Sequence, residues 1–237
     1  MEEHGTWLHF MYKFVPEWVP EPVIVTYFIV LVLAVTAICA TRKLDRKNPS
    51  RFQTVLEMIV GGLAAFVENI VGKEAARTAV PIIGTIFIFI FSLNLFGIIP
   101  GFVSPTANIN TTVALALFAF LTVQVYGVRK SGLAYFKHFL GEPIWLAPLM
   151  LPIHIIGEIA KPLSLAIRLF GNIYGEEMVI SVLILIVTSV MGYCLIPIQF
   201  PITLFSVFTS AVQAFVFSML FSVYIAMAIA GHEEEHS

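Results

Sequence analysis

Charge is scarce in this chain. Only 12% of its 237 residues are Asp, Glu, Lys or Arg, where soluble domains carry about 25%. Two stretches, 78–128 and 178–231, contain no Asp, Glu, Lys, Arg or His. Each is long enough for two membrane crossings at about 20 residues apiece, which excludes a soluble globular domain. A basic surplus is also missing. The net charge is -2, which argues against nucleic acid as a partner. Cysteine is limited to Cys39 and Cys194, both in apolar segments, which reads as two packed thiols and not a disulfide. No internal repeat is visible, and no metal site or cofactor is expected. The first residues carry Glu2 and Glu3 in place of a basic leader, so the first apolar stretch is expected to stay as a helix.

What is present is hydrophobic: 59% of the residues, with a mean hydropathy of +0.93. The pattern predicts one all-α transmembrane domain over residues 1–237, with five spanning helices and one interfacial helix. Residues 1–21 form an outer segment whose Trp7, Tyr12 and Trp18 suit a membrane interface. The first span covers 22–41. Arg42, Lys43, Arg46, Lys47 and Arg51 follow as the densest basic cluster, which assigns that end to the cytoplasm and the N-terminus to the outside.

Over 51–71, Phe52, Val55, Leu56, Ile59, Leu63, Phe66 and Ile70 recur at helical spacing. Gln53, Glu57 and Glu68 occupy the other face, so this helix is expected to lie on the cytoplasmic interface. Spans follow at 79–99 and 111–128, joined by a short outer loop, with Asn110 as the expected helix cap. Arg129, Lys130, Lys137 and His138 return the chain to the cytoplasm. Two long elements, 143–191 and 198–230, form a hairpin and bring the C-terminus inside. The first would measure about 70 Å at 1.5 Å per residue, against a hydrocarbon core of about 30 Å. It either breaks at Pro148, Pro152 and Pro162 or lies steeply tilted.

That first long element carries nearly all the intramembrane ionisable groups: His154, Glu158, Lys161, Arg168, Glu176 and Glu177. Arg168 stands out. An arginine near a helix centre in lipid costs about 2.5–3.5 kcal/mol on insertion scales, and it cannot escape by losing its proton. No carboxylate lies within a turn of it in sequence. Its counter-ion must therefore come from elsewhere, and another subunit is one source. Glu177, nine residues on, points to the opposite side of the helix, about 14 Å farther along. Glu176 points about 100° away from Glu177. His154, Glu158 and Lys161 lie toward the cytoplasmic end, where they either line an inner path or snorkel to the interface. On the last helix Thr203, Ser206, Ser210 and Gln213 make a polar stripe. It serves either as helix–helix glue or as a polar face toward Arg168 and Glu177.

Ser164-Leu165-Ala166-Ile167-Arg168-Leu169-Phe170-Gly171-Asn172 resembles the signature of subunit a of F-type ATP synthases, of the bacterial kind. Four further features agree: Pro105-Thr106-Ala107-Asn108-Ile109-Asn110-Thr111-Thr112, Lys161-Pro162, Glu177, and Gln213-Ala214-Phe215-Val216-Phe217. The resemblance spans about residues 20–230. It implies a non-catalytic, ion-translocating stator in the bacterial inner membrane, partnered by a ring of c subunits, b-type peripheral stalk subunits and the rest of the complex. Arg168 would face the ring carboxylates. Glu177, helped by Glu176 and Ser206, would serve the outer half-channel. Asn172 and Gln213 would lie beside the arginine, and His154, Glu158 and Lys161 would serve the inner half-channel. Two positions depart from the family pattern. Ser206 stands where many members carry His or Glu, and His154 stands where many carry a carboxylate, with Glu158 one turn later.

The rival reading is a self-contained transporter or channel with Arg168 as a substrate- or ion-binding charge. Such proteins often show inverted repeats and a midplane site; neither a repeat nor a carboxylate near Arg168 is visible. A non-conducting scaffold would leave the two groups of ionisable residues without a role.

Overall fold

The computed structural model describes residues 20–42, 50–99, 104–132, 147–191 and 196–230. Expectations for Trp7, Tyr12, Trp18, Lys43, Arg46, Lys47, Lys137, His138, Cys194 and the C-terminal tail lie outside them. The described residues form six helices and a single 3-10 turn, with no strand among them. The helices are α1 (Glu21–Thr41), α2 (Arg51–Val71), α3 (Lys73–Phe96), α4 (Ile109–Ser131), α5 (Ala147–Met191) and α6 (Ile196–Ala230). The 3-10 turn, Pro105–Ala107, sits between α3 and α4. All six helices are long and apolar enough to cross a membrane, α2 included. The protein is an all-α polytopic membrane protein.

Local chemistry accounts for the boundaries. Ser50 caps α2, its hydroxyl accepting from the Gln53 amide at 3.2 Å. Gly72 ends α2 and starts α3 with no other residue between them, at φ +84, a conformation that glycine adopts without a Cβ penalty. The cap of α4 is Asn108, whose side-chain oxygen accepts from the Asn110 amide at 2.9 Å. Asn110 itself lies inside the first turn, so the expected cap moves by two residues.

The α5 helix runs unbroken through Pro152 and Pro162. Of the two alternatives for this element the break is therefore excluded. Each proline deletes one i→i−4 hydrogen bond, and the remaining bonds hold a helix of 45 residues together.

The core is built around α3. Ile83, Ile86 and Ile90 of α3 pack with Phe217, Phe221 and Ile225 of α6, and Ala116, Ala119 and Val123 of α4 close the cluster with Leu165, Ala166 and Leu169 of α5. A smaller cluster, Val25, Ile29 and Leu93, fixes α1 to the far end of α3. The α2 helix does not stand away from α3. A Cβ on Gly84 would lie 3.6 Å from Leu63, and Phe66 meets Phe215 of α6 with centroids 4.9 Å apart. Gln53, expected on the solvated face of α2, is buried and donates to Glu57 at 2.8 Å. Glu57 and Glu68 are exposed as expected.

Candidate functional site

Three cross-helix pairs set the register between α5 and α6. Lys161 lies over the Tyr224 ring, 5.8 Å from its centroid. Eleven residues along α5, and eleven back along α6, Asn172 donates to the Gln213 side-chain oxygen at 2.5 Å. Four more in each direction, the Thr209 hydroxyl donates to Glu176 at 2.8 Å. The helices are therefore antiparallel and in one register throughout. Arg168, one turn before Asn172, falls level with Phe217.

Arg168 is exposed, and among the described residues it has no ion pair or hydrogen bond. Along the same stretch Leu163, Ile167 and Tyr174 of α5 and Val212 and Met219 of α6 are exposed apolar side chains that no described residue covers. Gly171 and Gly175 lie along the same helix, and a Cβ on either would meet nothing within 4 Å. The small residues leave room beside the arginine that no described residue fills.

The two adjacent carboxylates go to different places. Glu176 lines a groove of about 600 Å3 between α5 and α6, together with Asn172, Thr209 and Gln213 on otherwise apolar walls. Glu177 turns the other way and accepts from the Ser104 backbone amide beside the 3-10 turn. There the Ser104 and Thr106 hydroxyls meet at 2.7 Å, and Thr106 donates to the Asn94 side-chain oxygen at 2.7 Å. The Ser104 hydroxyl also donates to the Leu93 carbonyl at 3.2 Å. All three side chains are buried, and the Asn94 amide nitrogen has no partner among the described residues. A string of polar groups thus reaches from α3 to Glu177.

Asn94, Ser104, Thr106 and Thr209 were not singled out in the sequence as site residues. Asn94 and Thr209 lie in apolar runs with no local signal. Thr209 becomes visible only through the α5–α6 register.

Ser206, expected to help Glu177, makes no hydrogen bond to either glutamate. Its hydroxyl is buried without a partner among the described residues. The reason is angular: Ser206 and Ser210 point into the bundle, while Thr209, three residues on from Ser206, faces the α5–α6 groove. Of the expected polar stripe, Gln213 contacts the arginine neighbourhood, through Asn172.

At the other end of α5, Glu158 pairs with Lys161 and also accepts from Gln124 of α4 at 3.1 Å. Glu158 and Lys161 are half-buried, so this pair joins α4, α5 and, through Tyr224, α6. His154 is half-buried one turn earlier.

Gly97 positions the outer cluster. A Cβ there would lie 2.6 Å from the Ser104 Cβ and 3.2 Å from its Cα. Both are rigid atoms, so Ser104 would have to move. Gly97→Ala is expected to destabilise the folded chain by about 1–3 kcal/mol, the usual cost of overpacking. A lower melting temperature of the isolated complex, with this subunit lost first, checks it; an unchanged melting temperature would contradict the close approach.

The comparisons with known proteins give the family. Residues 23–226 match the family model for the ATP synthase A chain. ATP synthase subunit a of Oleidesulfovibrio alaskensis is 46% identical over 177 residues, covering 75% of this chain and 72% of the relative. The subunit a of Aliarcobacter butzleri is 42% identical over 219 residues, covering 91% and 92%. That of Geobacter sulfurreducens is 40% identical over 211 residues, covering 89% and 87%. With the signature around Arg168 lying inside the matched region, the chain belongs to the ATP synthase subunit a family.

Proposed function

We propose that this chain is the ion-translocating stator of a rotary F-type ATP synthase, and that its open arginine face meets a ring of c subunits. The observation that carries this reading is Arg168 itself. It is an exposed permanent charge in a mostly apolar helix, without a partner among the described residues. A ring carboxylate about 4 Å away would gain about 4 kcal/mol of Coulomb energy at an effective dielectric near 20. That favours its ionised form beside Arg168 and releases its ion there. Away from the arginine, in lipid, the carboxylate is favoured neutral. The difference makes ion binding and release depend on rotation. The same fixed charge repels a cation that would pass directly from one half-channel to the other.

The outer half-channel is assigned to Glu177 with Asn94, Ser104 and Thr106, the polar string on the α3–α4 side. Glu176 and Thr209 continue it along the groove toward Asn172, Gln213 and the arginine. Ser206 lies behind this path as a buried hydroxyl. His154, Glu158 and Lys161 are assigned to the inner side, where Glu158 is held by Lys161 and Gln124. The chemistry of ATP would belong to other subunits, with b-type subunits forming the peripheral stalk. Arg42 at the end of α1, Lys73 and Arg77 at the start of α3, and Arg129 and Lys130 at the end of α4 support one cytoplasmic side in a bacterial inner membrane. The N-terminus would be outside and the C-terminus inside. The exposed Arg51, Glu57 and Glu68 support an α2 whose polar face meets water on that side, while its other face packs along α3 through Leu63 and Gly84. A self-contained transporter is disfavoured, since the relatives are named as subunits of a complex.

The test uses the open space at Gly171. In the assembled complex lacking Cys39 and Cys194, Gly171→Cys should crosslink to a cysteine placed beside the ring carboxylate, giving a subunit a–c product on denaturing gels. Crosslinking to other partners, with none to the ring, would overturn the docking.

A further inference from the structure

A second cavity, of about 680 Å3, lies where α2 turns into α3, away from the arginine groove. Its lining has a direction. Glu68, Lys73, Glu74 and Arg77 surround the end nearest Gly72, while Ala64, Val80 and Pro81 form a wall about 12 Å along the helices at 1.5 Å per residue. The change from charged to apolar coincides with the start of the charge-free run at residue 78, directly after Arg77, which we take as the membrane boundary. None of the four charged side chains pairs with another described residue. Two are positive and two negative, so the cavity is neutral as a whole but strongly polar at one end.

A purely anionic headgroup would meet Glu68 and Glu74. A purely cationic group would meet Lys73 and Arg77. A group carrying one charge of each sign satisfies both pairs. Pro81 adds a preference. It has no backbone N–H, so the Arg77 carbonyl lacks its helical donor and stays free to accept. An acceptor beside two carboxylates favours a cation that still has N–H bonds to donate over a quaternary one.

We propose that this cavity binds one zwitterionic phospholipid with a primary ammonium, of the phosphatidylethanolamine type. Its phosphate sits on Lys73 and Arg77. Its ammonium sits on Glu68, Glu74 and the Arg77 carbonyl, and its acyl chains run past Ala64, Val80 and Pro81. Nothing in this depends on the stator reading, because it needs only the membrane boundary at the α2–α3 turn.

The experiment uses the whole complex, reconstituted in vesicles containing one photoactivatable lipid at a time, with crosslinked peptides mapped by mass spectrometry. The lipids are phosphatidylethanolamine, phosphatidylcholine and phosphatidylglycerol with the same labelled acyl chain. The ethanolamine lipid should label residues 64–81 about fivefold more than either of the others. Lys73→Gln with Arg77→Gln should lower that labelling at least about fivefold, while labelling elsewhere on the complex stays constant. If that variant fails to assemble, Glu68→Gln with Glu74→Gln reads the same claim, since selectivity should then shift toward phosphatidylglycerol. Equal labelling by all three lipids, a preference for phosphatidylglycerol in the unmodified complex, or selectivity unmoved by an assembled variant would each overturn the proposal.

Discussion

Arg168→Ala is expected to abolish gradient-driven ATP synthesis in a complex that still assembles. Assembly should survive because Arg168 is exposed and holds no other described residue in place. Removing a charge that costs about 2.5–3.5 kcal/mol to bury in lipid should if anything ease insertion of α5. Coupling should fail because the ring carboxylate loses the permanent charge that favours its ionised form. Each proton moving down 100 mV is worth about 2.3 kcal/mol, and without the barrier between half-channels that energy would dissipate as leak. Arg168→Lys should also fail, since a desolvated lysine can give up its proton where an arginine cannot. The measurement is ATP synthesis and ATP-driven pumping in vesicles, with subunit content determined in parallel. Normal pumping by a fully assembled Arg168→Ala complex would refute the assigned role.

Glu177→Gln should slow ion transport at least about tenfold, since a positioned proton-transfer group contributes 100-fold or more in comparable settings. The amide keeps the size of the carboxylate and can still accept from the Ser104 amide, so the packing at the 3-10 turn should survive. What it cannot do is take up and pass on a proton. Glu176→Gln should cost less, about fivefold, the scale of a weakened charge-assisted hydrogen bond from Thr209. Thr209→Val should reproduce the Glu176→Gln effect if the pair acts together. Transport rates in vesicles at matched driving force decide the order. A far larger loss for Glu176→Gln than for Glu177→Gln would move the outer path from the loop cluster into the α5–α6 groove.

Much of this was legible before any fold was known. The spanning helices follow from apolar runs of sufficient length, because the lipid environment forces backbone hydrogen bonds to close within the helix. Arg168 follows from the cost of its charge, and the near-opposite facing of Glu177 from 100° per residue. The prolines of α5 misled in part. Counting one lost hydrogen bond at each suggests a break, but the rest of a helix of 45 residues, packed against α4, outweighs two such losses. Gln53 misled as well, because its place on a helical wheel says nothing of what packs over it in the folded chain.

The sequence by itself determined which residues are costly in a membrane and on which side of their own helix they lie, since both depend only on local chemistry and helical period. Tertiary structure alone decided who meets whom. The α5–α6 register pairs Glu176 with Thr209 and Asn172 with Gln213, and leaves Ser206 without a partner among the described residues. The close approach at Gly97 brings Ser104 to Glu177 and joins it to Asn94 through Thr106. Those contacts depend on the axial offset between helices far apart in sequence. That offset is set by packing around Ile83, Ile90, Phe217 and Phe221, where many weak apolar contacts act together and no local motif records the result.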